Sequence, residues 1–218
     1  MRITNEDNMV LMSQYPDNYF ELAIIDPPYG LGINKMNFTQ SQKGGVAKRN
    51  DYSKITDWDK HIPSQSFFNE LFRVSKNQII WGGNYFPLPL VKGWIVWDKK
   101  TDEKYSNDFA DCELAWTSFD KPAKIFRFLW SGMLQNNMKN KEKRIHPTQK
   151  PVQLYRWLLQ NYAKKGDKIL DTHLGSGSIM IACDMEGFDL TACELDTDYY
   201  NAAMKRFEQY KKQLVMNF

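Results

Sequence analysis

The chain predicts an α/β fold in which strands and helices alternate around one sheet. Three observations carry that expectation. Short apolar runs bounded by turn residues recur along the chain, the clearest being Leu22-Ala23-Ile24-Ile25. Between several of them, apolar residues fall at helical spacing. The segment 168–193 reads as strand, glycine-containing turn, helix, strand, which is a βαβ unit. At 218 residues the chain is long enough to bury a large core as a single domain, 1–218.

In order, a short strand around 2–4 leads through Asp7 to a segment ending at Pro16, followed by a strand over 21–25. Residues 31–60 are polar, contain Gly44-Gly45 and few aliphatics, and predict a long loop of the kind that is functional or disordered. A helix follows from Pro63 or Ser64, with Phe68, Leu71 and Phe72 on one face. Strands are expected at 78–81, 94–97, 114–117 and 125–128. The stretch 129–144 is polar and basic and predicts a second loop. Thr148 is placed to cap a helix carrying Tyr155, Leu158, Leu159 and Tyr162, with Gly166 as its terminator. Strand 168–170, helix 178–186 and strand 189–193 come next. A last helix sets Tyr200, Ala203, Phe207, Tyr210 and Leu214 on one stripe. Internal repeats are absent.

Composition narrows the function classes. No run of about 18 apolar residues occurs, which argues against a membrane span. The start lacks the charged-then-apolar pattern of a signal peptide, so a cytoplasmic protein is expected. Cys112, Cys183 and Cys193 are odd in number and lack metal-ligand spacing, so they read as reduced thiols and no metal site is expected. Net charge is only +3, but it is unevenly spread. Within residues 121–150, Lys121, Lys124, Arg127, Lys139, Lys141, Lys143, Arg144 and Lys150 face the single acid Glu142, and Lys43, Lys48 and Arg49 form a second cluster. Two basic segments in an otherwise near-neutral chain point to a polyanionic partner. Residues 31–60 and 119–145 are therefore the candidate contact insertions.

The strand over 21–25 ends in Asp26-Pro27-Pro28-Tyr29. Neither proline has a backbone N–H, so their carbonyls can accept hydrogen bonds from outside the fold. The acid adds an acceptor and Tyr29 a flat ring. Such a junction fits a planar amine held by two acceptors beside an aromatic, as in the exocyclic amine of a nucleobase.

The βαβ unit supplies a second chemistry. Its turn reads Asp171-Thr172-His173-Leu174-Gly175-Ser176-Gly177-Ser178, and the next strand ends at Glu194, where an acid can hold both hydroxyls of a ribose. The third glycine of a dinucleotide-binding turn is missing, and Asp171 would repel a pyrophosphate but attract an ammonium. A nucleoside with a cationic amino-acid tail fits these constraints, a description that S-adenosylmethionine meets.

Residues 26–29, His146-Pro147-Thr148-Gln149-Lys150-Pro151 and 171–178 resemble the catalytic, tenth and first motifs of the DNA amino-methyltransferases. Their order resembles the β-class permutation, and the likeness runs from Asp7 to Glu194. The resemblance implies a Rossmann-like, S-adenosylmethionine-dependent methyltransferase fold: a seven-stranded, mainly parallel sheet with helices on both faces and one antiparallel edge strand. It implies N6-adenine methylation of flipped bases in double-stranded DNA, with Asp26, Pro27, Pro28 and Tyr29 as the catalytic set. It implies cofactor contacts from Asp7, Asp26, His146, Thr148, Gln149, Lys150, Asp171, His173, Gly175, Ser176, Gly177, Ser178 and Glu194. Lys48, Arg49, Lys139, Lys141, Lys143 and Arg144 are the expected DNA contacts. A homodimer, a restriction endonuclease counterpart and a bacterial or phage-infected host cell complete the expectation. Two rivals stay open: an N4-cytosine enzyme, although that group more often has Ser at the position of Asp26, and a catalytically silent nucleic-acid-binding module. Where many members carry Pro-Phe, this chain has Thr172-His173, which puts the packing of that side chain beside the cofactor in question.

Overall fold

The computed structural model describes residues 1–31, 62–100, 110–131 and 134–216. The expected loop at 31–60, with Lys48 and Arg49, therefore lies almost wholly outside the described residues. In chain order the elements are β1 (Arg2–Thr4), α1 (Asn8–Ser13), β2 (Phe20–Ile25), α2 (Gln65–Val74), β3 (Ser75–Trp81), β4 (Trp94–Asp98), β5 (Cys112–Thr117), β6 (Lys124–Arg127), β7 (Trp130–Ser131), β8 (Leu134–Gln135), α3 (Val152–Tyr162), β9 (Lys168–Asp171), α4 (Ser178–Glu186), β10 (Asp189–Cys193) and α5 (Thr197–Met216). The α/β expectation holds, and the strands fall within a residue or three of where the sequence put them.

One eight-stranded sheet runs β1-β10-β9-β2-β3-β5-β4-β6, and β7 pairs with β8 apart from it. That is one strand more than the seven expected; at one edge β1 lies parallel to β10 with Arg2 opposite Thr191. All neighbours pair in parallel except β5, which is antiparallel to both β3 and β4. The reversed strand thus sits inside the sheet rather than at its edge. It does so because β4 and β5 are adjacent antiparallel partners that need only a direct connection, whereas parallel neighbours need a crossover.

Side-chain alternation explains the layers. Leu22, Ile24, Ile79, Trp81 and Ile169 face one way and pack with Leu154, Leu158, Ile179, Cys183 and Ala203 from α3, α4 and α5. Ala23, Ile25, Ile80, Leu170 and Cys193 face the other way, against Leu11 and Met12 of α1 and Phe67, Phe68 and Leu71 of α2. Strands buried on both faces read as continuous apolar runs, which is why 22–25 was legible.

Helix ends show where local signals succeed and fail. Ser64 caps α2, its side chain accepting from the Phe67 N–H. Thr148 does not cap α3, which begins four residues later behind Pro151. There the Glu142 carboxylate accepts from the Val152 N–H at 3.1 Å, so a distant acid replaces the local cap. The helix ends at Tyr162, with Ala163 as its cap, ahead of Gly166. Nor is 129–144 simply a loop. Besides the β7–β8 pair, the Gln135 side chain donates to the Glu142 carbonyl at 2.9 Å and accepts from the Glu142 N–H at 2.8 Å. No helix among the described residues is long and apolar enough to cross a membrane.

Candidate active site

The sheet itself dictates where a ligand can enter. From β9 the chain proceeds to β10 on one side, and from β2 it proceeds to β3 on the other. Strand order therefore reverses between β9 and β2, and the crevice outside their carboxyl ends is where such sheets bind ligands. Asp26 follows β2, Thr172 follows β9 and Glu194 follows β10. A cavity of about 410 Å³ opens there, lined among others by all four residues 26–29, by Asp7, and by His146, Thr148, Gln149 and Lys150. His173, Gly175, Ser176 and Glu194 line it too. Motifs far apart in sequence thus meet in one space of ligand size.

Three of the expected cofactor residues do not reach the cavity wall. Asp171 is buried beneath it, its carboxylate accepting from the His173 N–H at 2.9 Å, and burial pushes it up to about 8. It shapes the turn from below. Gly177 is the left-handed residue before α4, where a β-carbon would come within 3.1 Å of Ala203, so its role is packing against α5. The Ser178 hydroxyl donates to the Lys150 carbonyl at 2.7 Å and accepts from Arg206 at 2.9 Å.

The residues that do line the wall are held firmly. Glu194 accepts from the Gly175 N–H at 2.8 Å and from the Asp196 N–H at 3.0 Å, and burial raises its pKa. A carboxylate has about four acceptor positions, so both oxygens can still receive a hydroxyl. Asp7 caps α1, accepting from the Met9 N–H at 2.8 Å. His173 takes the place of the expected phenylalanine. Burial lowers it to about 4, so it is neutral at pH 7, and it packs edge-on against Phe67 at 5.4 Å. Asn8 can only donate to its Nε2, at 3.2 Å, which leaves the proton on Nδ1 to be shared with the Thr172 hydroxyl at 2.9 Å. His146 is likewise lowered to about 4, first by burial and then by Lys150. Its Nδ1 is bonded to the Thr148 hydroxyl and N–H, and its ring lies 4.3 Å from that of Tyr199.

At the other end, Asp26 is already engaged on both oxygens. The Tyr29 hydroxyl donates to Oδ1 at 2.7 Å, and the Lys150 ammonium sits 2.6 Å from Oδ2. Lys150 also lies 3.0 Å from Glu113, which in turn pairs with Lys99 at 3.0 Å. With a side chain only 2% exposed, Lys150 rests over the rings of Trp81 and Tyr29. Burial pushes Asp26 above its ordinary value while Lys150 pulls it down. Burial also works against the charge of Lys150, yet Asp26 and Glu113 together hold its pKa above the usual lysine value. Tyr29 stacks on Tyr85 with centroids 5.3 Å apart.

Sequence reasoning missed Glu113, Lys99 and Arg206. The signal for Glu113 was a lone acid at the mouth of an otherwise apolar strand. For Arg206 it was a cation beside Phe207 on the apolar side of α5, where it donates to the Ser176 carbonyl at 2.8 Å and to Glu142 at 2.7 Å.

The site's geometry agrees with what the chain resembles. Residues 91–205, more than half of the chain, match the N6_N4_Mtase family model, described as DNA methylase. The chain belongs to that DNA methylase family. The type II methyltransferase M2.DpnII of Streptococcus pneumoniae is 29% identical, with 95% of this chain and 90% of that protein covered. For M2.MboI of Moraxella bovis the identity is 24% over 80% of this chain, which spans 57% of that longer protein. The solved structure of an M1.HpyAVI–SAM complex shares the fold, with a TM-score of 0.57, 19% identity and coverage of 94% and 98%. As its model's name states, the DNA methylase family embraces both N6 and N4 amines, so membership sets the reaction class and leaves the base open.

The basic DNA methylase segment divides in two. Lys139, Lys141 and Lys143 are exposed, just ahead of the stretch that enters the cavity wall at His146. Arg144, also expected to contact DNA, lies 4.6 Å over the Trp130 ring, and its charge acts on Glu142. A guanidinium stacks on an aromatic face more readily than an ammonium does, and an acid beside it completes the site.

Proposed function

We propose that this chain transfers the methyl group of S-adenosylmethionine to the exocyclic N6 amine of adenine in duplex DNA. One observation supports it above the others: a single cavity at the switch point of the sheet carries an acid–proline–proline–tyrosine acceptor set at residues 26–29 and a ribose-type acceptor, Glu194. Its residues suit the cofactor. Glu194 fits the ribose hydroxyls, Asp7 and the neutral His173 lie on the nucleoside side, and the 172–176 turn offers backbone to the amino-acid tail. Bound there, S-adenosylmethionine supplies an electrophilic methyl group on sulfonium.

The protein's own work falls on the amine. The N6 lone pair of adenine is delocalised into the ring and is a weak nucleophile. Donating its two N–H groups to the Asp26 carboxylate and the Pro27 carbonyl draws the nitrogen toward a tetrahedral shape and frees the lone pair. Placement of the two reacting atoms near 3 Å then supplies much of the rate; the carbon–nitrogen bond would form as the methyl–sulfur bond breaks, and the methylated amine would lose its surplus proton readily without Asp26 having to take it outright. A base inside a duplex cannot reach this pocket, so it flips out, at a cost of roughly a few kcal/mol. Stacking on the Tyr29–Tyr85 aromatic surface returns about 1–3 kcal/mol of that. Asp26 favours adenine, because the cytosine enzymes that resemble this chain more often carry Ser at that position. The decisive experiment incubates the protein with methyl-labelled cofactor and duplex DNA and identifies the labelled nucleoside. N6-methyladenine is expected; N4-methylcytosine as sole product would overturn the base assignment and spare the cofactor reading.

DNA binding falls to Lys139, Lys141 and Lys143. Replacing all three with Gln should weaken DNA binding and flatten its salt dependence, by about 0.9 in log–log slope for each phosphate that is no longer neutralised. Cofactor affinity, measured calorimetrically, should hold. An unchanged slope would return these lysines to the status of a solvated face. The relatives' designation as type II methyltransferases supports a role in a restriction–modification pair.

A further inference from the structure

Behind the cavity wall, four charged side chains from four different segments form an unbroken row: Asp26 after β2, Lys150 before α3, Glu113 on β5 and Lys99 after β4. The contacts are 2.6 Å from Lys150 to Asp26, 3.0 Å from Lys150 to Glu113 and 3.0 Å from Lys99 to Glu113. Glu113 is not among the residues lining the cavity, so it meets neither base nor cofactor. Two cations balance two acids, which is the condition for keeping such a cluster in a desolvated site. The cluster bears directly on the amine. With one position on each oxygen taken by Tyr29 and Lys150, what Asp26 has left to offer an N–H depends on how tightly Lys150 holds its charge, and Glu113 is the second carboxylate onto which Lys150 can lean.

We propose that Glu113 is a positioning residue for methyl transfer, sharing the Lys150 ammonium so that the Asp26 carboxylate stays available to the target amine. The inference rests on the reading of Asp26 as the amine's acceptor. The groups facing Asp26 are Lys150, Tyr29, Glu113, Tyr155 of α3 and Asp171 of β9. Among them Glu113 adds negative charge that raises the pKa of Asp26, while Lys150 lowers it. The signs follow. Transfer needs ionised Asp26, so its rate falls as pH drops through that group's pKa in the folded protein. Removing the charge of Glu113 lowers that pKa and lets Lys150 close on Asp26 alone. Removing Lys99 leaves the cluster with an excess negative charge and raises it.

The test is single-turnover methylation of duplex DNA across pH, with cofactor affinity measured alongside. Glu113→Gln should cut the plateau rate roughly 10- to 100-fold, as loss of a supporting residue does. It should move the acid limb to lower pH and leave cofactor affinity within about twofold, a margin small on the scale of one hydrogen bond. Glu113→Asp, which keeps the charge, should return the limb toward its original position. Lys99→Met should move the limb the opposite way, and it carries the test if Glu113→Gln fails to fold. A limb unmoved in Glu113→Gln, or in Lys99→Met where that variant stands in, overturns the proposal. Asp26→Asn, run in parallel, separates the two readings. If it is inactive while the Glu113 variant behaves as wild type, only this inference falls; if it is active, the acceptor reading falls first.

Discussion

Asp26→Ala is expected to lose nearly all methyl transfer while still binding cofactor and DNA. The carboxylate acts on the amine in the transition state and anchors neither ligand, and removing one well-placed electrostatic partner of that kind costs a factor of about 10²–10³ in rate. The structure adds a complication that the sequence did not show. Asp26 is also the tighter partner of Lys150, at 2.6 Å, so deletion leaves a buried ammonium with Glu113 alone. Some stability should be lost with the activity. Asp26→Asn separates the two effects, since it keeps the shape and an acceptor oxygen but not the charge. Rapid-quench measurement of the chemical step, with thermal melts of both variants, reads them independently. Wild-type-like turnover in Asp26→Ala would reject the mechanism.

How much of the fold and site is legible in the sequence depends on the range over which each signal acts. The sheet was legible because its central strands are buried on both faces and therefore read as unbroken apolar runs, as at 22–25 and 79–81. The cavity's two ends were legible because each motif sits at the end of its strand, where only turn-forming and ligand-facing residues are tolerated. What escaped was long-range polar pairing. Nothing local marks Glu142 as the group that accepts from the first N–H of α3, since it lies ten positions earlier, and Thr148 looked the better cap. Arg144 read as one more cation in a basic run, whereas the fold sets it over the Trp130 ring. Glu113 and Lys99 meet only because β4 and β5 pair with Val96 opposite Leu114 and Trp97 opposite Glu113. Register of that kind is fixed by the whole sheet, not by either strand. Asp171 shows what position in a motif does not tell: its carboxylate accepts from the His173 N–H beneath the turn and does not line the cavity.

Gly82→Ala should be as damaging as any change in the cofactor turn, although residue 82 lines no part of the cavity. Gly82 follows β3 with φ +68°, a left-handed conformation that costs a side-chain-bearing residue of order 1–3 kcal/mol. A β-carbon there would also overlap the Tyr29 ring, with Cζ only 2.7 Å away, and relieving that overlap costs a further 1–3 kcal/mol or so. The ring can yield only by leaving Tyr85, 5.3 Å away in its stack, and by drawing its hydroxyl off Asp26. Stability and transfer should therefore fall together, whereas Glu194 and the 172–176 turn, on the far side of the cavity, should keep their affinity for the cofactor. The two costs can be told apart. In Tyr29→Ala the clash partner is gone, so adding Gly82→Ala to that background should cost only the backbone strain. A double-mutant cycle on unfolding free energy is expected to show favourable coupling of about 1–3 kcal/mol, the size of the overlap. Additive behaviour would mean that the ring finds another seat, and the role of Gly82 in fixing the Tyr29 side chain would have to be abandoned.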